Sequence, residues 1–275
     1  ILVVAYDVLK AIYLERGYQA RAIPRLILEK NLYGLDIDDR AAQMAGFALL
    51  MKARADDRRL FNDPPQLNVL SLQESKGLDA AALTQAINAG GTELVEAHQL
   101  QQLIEAFQHA KTFGSLTQID HSLLSNLPRL LSIVRQTIQA GDLYAQAAAL
   151  DVLPLVKQAL MLGAQFDAVA VNPPYMGTRG YNDRLKAFLL RTFSSARENV
   201  FAAFIEQSLR MTKGSGLASL VTMHNWMFLN RFQQFRRELI EGRTIENLVH
   251  HGAGAFEEIT GEVVQTASFT LRPKR

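Results

Sequence analysis

Apolar positions at the start of the chain recur at helical spacing. Between Leu2 and Tyr13 they lie three or four residues apart, and Gly17 follows at a position suited to a C-cap. Residues 1–16 are therefore predicted to form an amphipathic helix.

The next segments alternate between strand and helix patterns. Residues 31–38 have the composition of a short buried strand that ends in carboxylates, and residues 68–72 form a further strand candidate. Between them we expect Asp39 to cap an alanine-rich helix that runs to about residue 55. This order of elements predicts an α/β fold with parallel strand pairing.

The pattern changes over residues 79–162, which are rich in Ala, Gln and Leu and are predicted to be mostly helical. We expect this helical insertion to break at Gly90-Gly91, Phe113-Gly114-Ser115, Pro128 and Gly141. Its apolar stripes favour packing beside the sheet over a recognition surface. The predicted domain organisation is thus a core of residues 1–78 and 163–275, interrupted by the insertion.

Alternation resumes after residue 163. A strand at 166–171 is followed by a polar loop, a basic helix to about Arg197 and a second helix at 198–211. A glycine turn at 214–216 then leads into further predicted elements. These are a strand at 217–223, a helix at 231–241 and strands at 245–250 and 263–271. The whole pattern predicts a doubly wound α/β sheet with a helical insertion.

Composition limits the class of protein. The 275 residues are 48% hydrophobic with a formal net charge of +2, which fits a globular protein whose basic surface, if any, is local. Cysteine is absent, so disulfides and thiolate metal sites are excluded. No uninterrupted apolar run reaches the roughly 18–20 residues of a membrane span, and a cytoplasmic location is the default expectation. Ile1 falls inside an apolar helical pattern without a cap, so we expect an excerpt of a longer protein.

The strand at 166–171 ends in Asn172-Pro173-Pro174-Tyr175, which together suit the alkylation of a planar amine. The side-chain oxygen of Asn172 and the carbonyl of Pro173 can accept both hydrogens of an exocyclic amino group. The fixed φ of proline holds that carbonyl in place, and Tyr175 offers a face for a purine, worth about 1–3 kcal/mol per stacked base. The alternative is a simple strand-ending turn with a surface tyrosine.

With its preceding strand, this segment resembles motif IV of the S-adenosylmethionine-dependent amino-methyltransferases, in the adenine-N6 DNA form. The rest of the chain resembles large adenine-specific DNA methyltransferases of the type IIG kind, especially the PglX-type enzymes of BREX phage-defence systems. The segments that carry this resemblance are residues 31–38, 172–177, 201–206 and 226–229. It implies a Rossmann-like methyltransferase sheet, S-adenosylmethionine as methyl donor, and a flipped adenine of double-stranded DNA as acceptor. Other defence-system subunits are possible partners.

The resemblance also implies roles for residues at the strand ends. Asp36 would accept hydrogen bonds from the cofactor ribose and Ile37 would pack on its adenine, whereas Asp38 and Asp39 suit helix capping better. Ser115 lies in an element that borders the cofactor in related enzymes, although the acidic residue common there is absent. A plain turn between helices is the alternative. Asn172 would also border the cofactor.

The DNA side of the predicted site depends on two further groups. Phe256 would sandwich the flipped base against Tyr175, or else fold onto the core. Basic residues crowd the segment after Tyr175, and we expect DNA phosphate contacts from Arg179, Arg184 and Lys186. His224 and the pair His250-His251 suit structural roles better than metal binding.

One departure from the family pattern limits the expected activity. The glycine-rich loop that cradles the cofactor would belong directly before Ile1, and the target-recognition region beyond Arg275. We therefore expect these residues alone to bind S-adenosylmethionine weakly and to be inactive. Two alternatives stay open: a methyltransferase acting on a protein glutamine or an RNA amine, and a non-catalytic DNA-binding scaffold.

Overall fold

A computed structural model describes residues 1–90, 93–252 and 265–274 of the chain. The polypeptide divides into two compact units, Ile1–Leu162 and Gly163–Arg275. Each unit contains strands and helices, so the predicted α/β class is confirmed. The assignment of residues 79–162 as an insertion stays a prediction.

The first unit begins with a small parallel sheet and its flanking helices. In chain order these elements are α1 (Leu2–Glu15), α2 (Ile23–Leu26), β1 (Tyr33–Asp36), α3 (Asp39–Asp56) and β2 (Asn68–Ser71). β1 and β2 pair in parallel, from Tyr33 opposite Asn68 to Asp36 opposite Ser71. Gly17 follows α1 with a φ of +80°, a conformation that favours glycine and agrees with its predicted capping role.

The cap of α3 differs from the sequence prediction by one residue. Asp38, not Asp39, is the N-cap, because its backbone is extended and its Oδ1 accepts from the backbone N–H of Arg40 at 2.7 Å and of Ala41 at 2.9 Å. Asp39 is already the first helical residue, and its carboxylate accepts hydrogen bonds from the side chains of Gln73 and Lys111 instead.

Five α-helices follow in the described part of the first unit. They are α4 (Ala80–Gly90), α5 (Ala97–Phe107), α6 (Ala110–Phe113), α7 (His121–Ala140) and α8 (Leu143–Gly163), the last of which ends one residue inside the second unit. Leucine, isoleucine and phenylalanine side chains of α4, α5, α7 and α8 bury one another in a single apolar core. The predicted break at Pro128 is wrong, because α7 continues through it while the buried Leu123, Leu127 and Leu130 hold the helix to the core.

The longest helix, α8, is anchored to the end of β2. The side chain of Gln158 accepts from the backbone N–H of Gln73 at 2.8 Å and donates to its carbonyl at 2.9 Å. By length and composition α8 could also cross a membrane, but 56% of its apolar window is buried inside the protein. This burial is what a core helix shows.

The second unit is built on a mixed sheet. Its strands are β3 (Phe166–Val171), β4 (Thr212–Met223), β5 (Arg243–Gly252) and β6 (Thr266–Pro273), arranged in the order β3-β4-β6-β5. β3 and β4 are parallel, whereas β6 runs antiparallel to both β4 and β5. β3, β4 and β5 therefore share one direction, and their carboxyl ends meet at one edge of the sheet. Among the described strands, none pairs with the second edge of β3.

Two boundaries in the second unit differ from the predictions. β4 begins at Thr212 rather than Leu217, because the glycine turn forms a bulge in the strand instead of preceding it. A Cβ atom on Gly216 would lie 2.8 Å from the carbonyl oxygen of Asp167, so glycine permits the close pairing there. The basic helix ends at Thr192 and not near Arg197.

Among the described residues, four α-helices accompany this sheet: α9 (Asp183–Thr192), α10 (Val200–Arg210), α11 (Asn225–Phe228) and α12 (Gln233–Gly242). Aromatic side chains fill the space between them and the strands. The ring of Trp226 packs edge-on against Phe269 at 5.1 Å and against Phe235 at 6.2 Å, and its indole N–H donates to Thr222. This packing fixes the segment that follows β4.

Candidate active site

The carboxyl end of β3 presents the predicted Asn172-Pro173-Pro174-Tyr175 segment. The strand stops at Val171, as the two prolines predict, since proline cannot supply a ladder N–H group. Asn172 is exposed, Pro173 is buried and Tyr175 is half-buried. The Tyr175 hydroxyl is buried and finds no hydrogen-bond partner among the described residues, and burial raises its pKa.

The loop that follows is fixed by backbone contacts to the start of α10. The carbonyl of Met176 accepts from the N–H of Val200 at 2.9 Å, and Gly177 forms an isolated β-bridge with Asn199. The hydroxyl of Tyr181 donates to the carbonyl of Arg197 at 3.1 Å. The chain beyond Tyr175 is therefore held in place although it contains no long element.

A cavity of about 480 Å³ lies between this loop and the segment after β4. Its walls are residues 175–180, Glu198 and Arg231. We call it the Tyr175 pocket. Arg179 and Arg231 are both exposed, and neither forms an ion pair within the described ranges. Of the three predicted phosphate contacts, only Arg179 lines this pocket.

The other two basic residues lie elsewhere. Arg184 and Lys186 are exposed on α9 outside the pocket walls. Arg231 was not singled out as a site residue from the sequence, because it lies far from Tyr175 along the chain. The signal that could have found it is its position after a strand parallel to β3.

In the first unit, Asp36 and Ile37 form a tight turn at the carboxyl end of β1. The Oδ1 atom of Asp36 accepts from the backbone N–H of Asp38 at 2.8 Å, and the carboxylate group is exposed. Ile37 is 42% exposed, which is unusual for an isoleucine beside a sheet. The turn thus offers an acidic and an apolar side chain together at a strand end.

Lys111 holds this turn from a distant part of the same unit. Its Nζ donates to the carbonyl of Ile37 at 2.7 Å and to Oδ1 of Asp39 at 2.9 Å. The hydrogen bond from Lys111, assisted by Ser71 and Gln73, lowers the pKa of Asp39 to about 2. Sequence reasoning missed Lys111, because no local pattern links it to residues more than 70 positions earlier.

The predicted element around Ser115 lies beside the same turn. Gly114 has a φ of +59°, and a Cβ atom placed there would lie 4.0 Å from Cδ1 of Ile37. Ser115 is half-buried in the 3-10 turn Gly114–Leu116, which also connects α6 to α7. The structure therefore brings the element near Ile37 and also shows it to be an inter-helix turn.

Phe256 and the histidines His224 and His250 were also singled out from the sequence. Phe256 lies outside the described residues. His224, after β4, and His250, near the end of β5, form a ring-to-ring hydrogen bond of 2.8 Å that the sequence did not predict. Burial, and secondarily the charge of His250, lowers the pKa of His224. Within the described part of the chain, no three His, Asp or Glu residues cluster as a metal site.

Comparison with known protein families shows which family the chain belongs to. The family described as Eco57I restriction-modification methylase matches residues 30–256, which include both strand-end segments. The chain belongs to the Eco57I restriction-modification methylase family. Membership of this methylase family implies S-adenosylmethionine as the methyl donor.

The chain is also similar to two adenine-specific methyltransferases. The chain is 40% identical over 291 aligned residues to the adenine-specific methyltransferase BrxX of Escherichia coli O9:H4 (strain HS), covering 99% of the chain and 24% of BrxX. It is 31% identical to the adenine-specific methyltransferase PglX of Lacticaseibacillus casei (strain Zhang), covering 100% of the chain and 23% of PglX. The predicted resemblance to PglX-type enzymes is confirmed. The chain spans about a quarter of the length of these relatives.

A solved structure gives a weaker likeness. It is a putative class I S-adenosylmethionine-dependent methyltransferase from Listeria monocytogenes, 13% identical, with a TM-score of 0.33 and coverage of 100% of this chain and 87% of that one. Such a TM-score is too low to establish a common fold. The family assignment therefore rests on the sequence match.

Proposed function

We propose that the chain is the catalytic-domain portion of a site-specific DNA methyltransferase that methylates N6 of a flipped adenine in restriction-modification or phage defence. The observation that carries the proposal is Asn172-Pro173-Pro174-Tyr175 at the carboxyl end of β3, in a chain of the Eco57I methylase family. Ligands of open α/β sheets bind at such strand ends. Asn172 is exposed there and Tyr175 is half-buried, so both side chains can be reached by a base.

The chemistry assigned to this segment is the orientation of an amino group. The side-chain oxygen of Asn172 and the carbonyl of Pro173 would accept the two N6 hydrogens, which directs the nitrogen lone pair away from the ring. Pro173 and Pro174 restrict the backbone, so these acceptors are preorganised rather than recruited. S-adenosylmethionine, when bound, would supply an electrophilic methyl group and leave as S-adenosylhomocysteine once its sulfur–methyl bond is broken. The nitrogen gives up one proton to solvent, and no strong general base is required.

The turn at the end of β1 fits a nucleoside cofactor. The exposed Asp36 carboxylate would accept from ribose hydroxyls, and the exposed Ile37 side chain would cover an adenine face. Lys111 would keep this turn in place through the carbonyl of Ile37. Ser115 and Asn172 are the other residues we assign to the cofactor.

On the DNA side, Tyr175 would stack on the flipped adenine and Phe256 would cover its other face. Arg179, Arg184 and Lys186 would contact phosphates, with strongly salt-dependent binding as the consequence. Double-stranded DNA is the proposed partner, possible further partners are other defence-system subunits, and the proposed location is the cytoplasm.

The proposal is tested by transfer of labelled methyl groups from S-adenosylmethionine to unmethylated DNA, RNA and protein acceptors. The natural polypeptide that carries these 275 residues is compared with the 275 residues alone. We expect the former to label DNA only, and the latter to transfer little or nothing. The Asn172→Ala substitution should abolish transfer while DNA binding is retained.

Each alternative function has its own outcome in this experiment. Label on RNA or on a protein glutamine would favour the other acceptors. If the natural polypeptide binds DNA but transfers no label at low salt, the scaffold function replaces the enzymatic one.

A further inference from the structure

The Tyr175 pocket combines features that point to an anionic ligand. Arg179 enters it from the loop after β3, and Arg231 from the segment after β4. We propose that this pocket binds one phosphodiester of the DNA backbone next to the target nucleotide, held by Arg179, Arg231 and the Tyr175 hydroxyl. This inference rests on the proposed function and specifies which DNA group this part of the site holds.

The two arginines suit a phosphate because of their hydrogen-bonding groups and because their side chains are exposed. A guanidinium presents a planar fork of N–H donors that matches two phosphate oxygens, and it stays charged at any working pH. Both side chains are exposed and have no ion-pair partner among the described residues, so no ion pair must be broken first. They come from two separate segments, and a single group between them would be held from two sides.

The Tyr175 hydroxyl gives a second reason to expect a ligand in this pocket, and this reason does not depend on the charge of the two arginines. It is buried without a hydrogen-bond partner in the described structure, which costs about 1–3 kcal/mol for a polar group. A phosphate oxygen could accept from it and remove that cost. The ring of Tyr175 would still be free to stack on the base, so one residue would hold both parts of the same nucleotide.

The walls of the pocket are preorganised. Arg231 lies over the ring of Phe232, with Cζ 5.4 Å from the ring centroid. Arg236 fixes the turn before it by donating to the carbonyls of Trp226 at 2.8 Å and Leu229 at 2.7 Å. Little ordering of the Arg231 segment is therefore needed when a ligand binds.

Glu198 is the one acidic residue in the pocket wall. Its carboxylate lies 3.5 Å from Nε of Arg197, so a neighbouring cation already compensates part of its charge. It would still repel a phosphate. Glu198→Gln is therefore expected to tighten DNA binding, about twofold to threefold, whereas a pocket that used Glu198 to accept from a base would lose affinity.

The first experiment measures duplex DNA binding by the natural polypeptide as a function of salt. Arg179→Gln and Arg231→Gln should each weaken binding about tenfold and reduce the slope of log K against log salt by about one. Arg237→Gln is the matched control, because Arg237 is exposed on α12 nearby and does not line the pocket. It should leave the slope unchanged. Equal slope changes in all three variants would overturn the proposal.

A second experiment identifies the phosphate. Methylphosphonate, which is uncharged, replaces one backbone phosphate at a time on either side of the adenine that wild type methylates. At one position we expect wild type to lose about tenfold in affinity and Arg231→Gln to lose nothing more. Tyr175→Phe should show part of the same coupling. Independent, multiplicative losses at every position would contradict the clamp.

The two proposals can fail separately. If wild type methylates adenine but the losses never couple, the phosphate clamp is wrong and the function stands. If the salt slopes change as expected but no methyl group is transferred to DNA, the pocket binds phosphate in a protein without the proposed activity.

Discussion

The carboxyl ends of β1 and β3 each carry a candidate site segment, and each unit fixes its own segment in a different way. At β3 the chain is held by its own sequence, because two prolines restrict the backbone directly after Asn172. At β1 the turn with Asp36 and Ile37 is held by Lys111, which comes from a helix more than 70 residues later. The first device is local and the second is tertiary.

This difference decides what substitutions will do. The backbone after Asn172 stays restricted as long as the two prolines are present. The β1 turn instead depends on the correct placement of α6 and the 3-10 turn that follows it. We therefore expect the β1 turn to be more sensitive than the β3 segment to distant changes in its own unit.

Gly114→Ala should show the tertiary dependence most strongly. Gly114 has a φ of +59° and a ψ of −147°, a region that is essentially restricted to glycine, so alanine should cost about 1–3 kcal/mol of unfolding free energy. Urea denaturation measures this. Gly214→Ala is the control, because Gly214 lies in open space without a positive φ, and it should cost less than about 1 kcal/mol. Equal losses for both would show that the turn is not strained.

Pro173→Ala tests the local device. The substitution keeps the backbone carbonyl but frees its φ angle, so we expect kcat for methyl transfer to fall about tenfold, with KM for the cofactor little changed. Pro64→Ala, at an exposed loop position, is the control and should not alter kcat. A change confined to KM would contradict the orienting role of Pro173.

Lys111→Met should affect the β1 turn of the first unit. Loss of the hydrogen bonds to Ile37 and Asp39 should raise KM for S-adenosylmethionine about fivefold and leave kcat nearly unchanged, since Lys111 is assigned a positioning role. The pKa of Asp39 should rise from about 2 toward its ordinary value, which carboxyl NMR titration can follow. Lys30→Met, at another exposed lysine, is the control. An unchanged KM for S-adenosylmethionine would exclude the positioning role of Lys111.

The smallest effect concerns pH and again separates the two units. The folded-state pKa of His224 is lowered, so the unfolded chain binds more protons near pH 6 and stability of the second unit should fall as pH drops below about 6.5. The lowered pKa of Asp39 gives stability that is present above about pH 4 and is lost only as pH falls toward 2. His224→Gln should flatten the stability profile between pH 5 and 7. A steep profile in that variant would assign the effect to other groups.

The same contrast explains how much could be predicted from the sequence. The strand at Phe166–Val171 and its termination were predictable, because strand composition and prolines act within ten residues. The Asp38 cap was missed by one position, since Asp38 and Asp39 are adjacent and either carboxylate could accept from the first helical N–H groups. The bulge at Gly214 to Gly216 was taken for a turn, because glycine serves both.

Tertiary features of the site were not predictable. Lys111, Arg231 and the His224–His250 pair meet their partners through packing of segments that lie far apart in sequence. Pro128 was expected to end a helix, but the buried leucines around it outweigh the lost backbone hydrogen bond. Local propensity was enough to predict most helices and strands, whereas the side-chain contacts between them depend on tertiary packing.

We propose that Asn172 orients an adenine amino group for methylation. Nucleoside mass spectrometry of DNA treated with the natural polypeptide and S-adenosylmethionine tests this role. We predict N6-methyldeoxyadenosine with wild type and none with Asn172→Ala, while both proteins bind DNA with similar affinity. Methylated cytosine, or N6-methyldeoxyadenosine at wild-type levels with Asn172→Ala, would contradict the account.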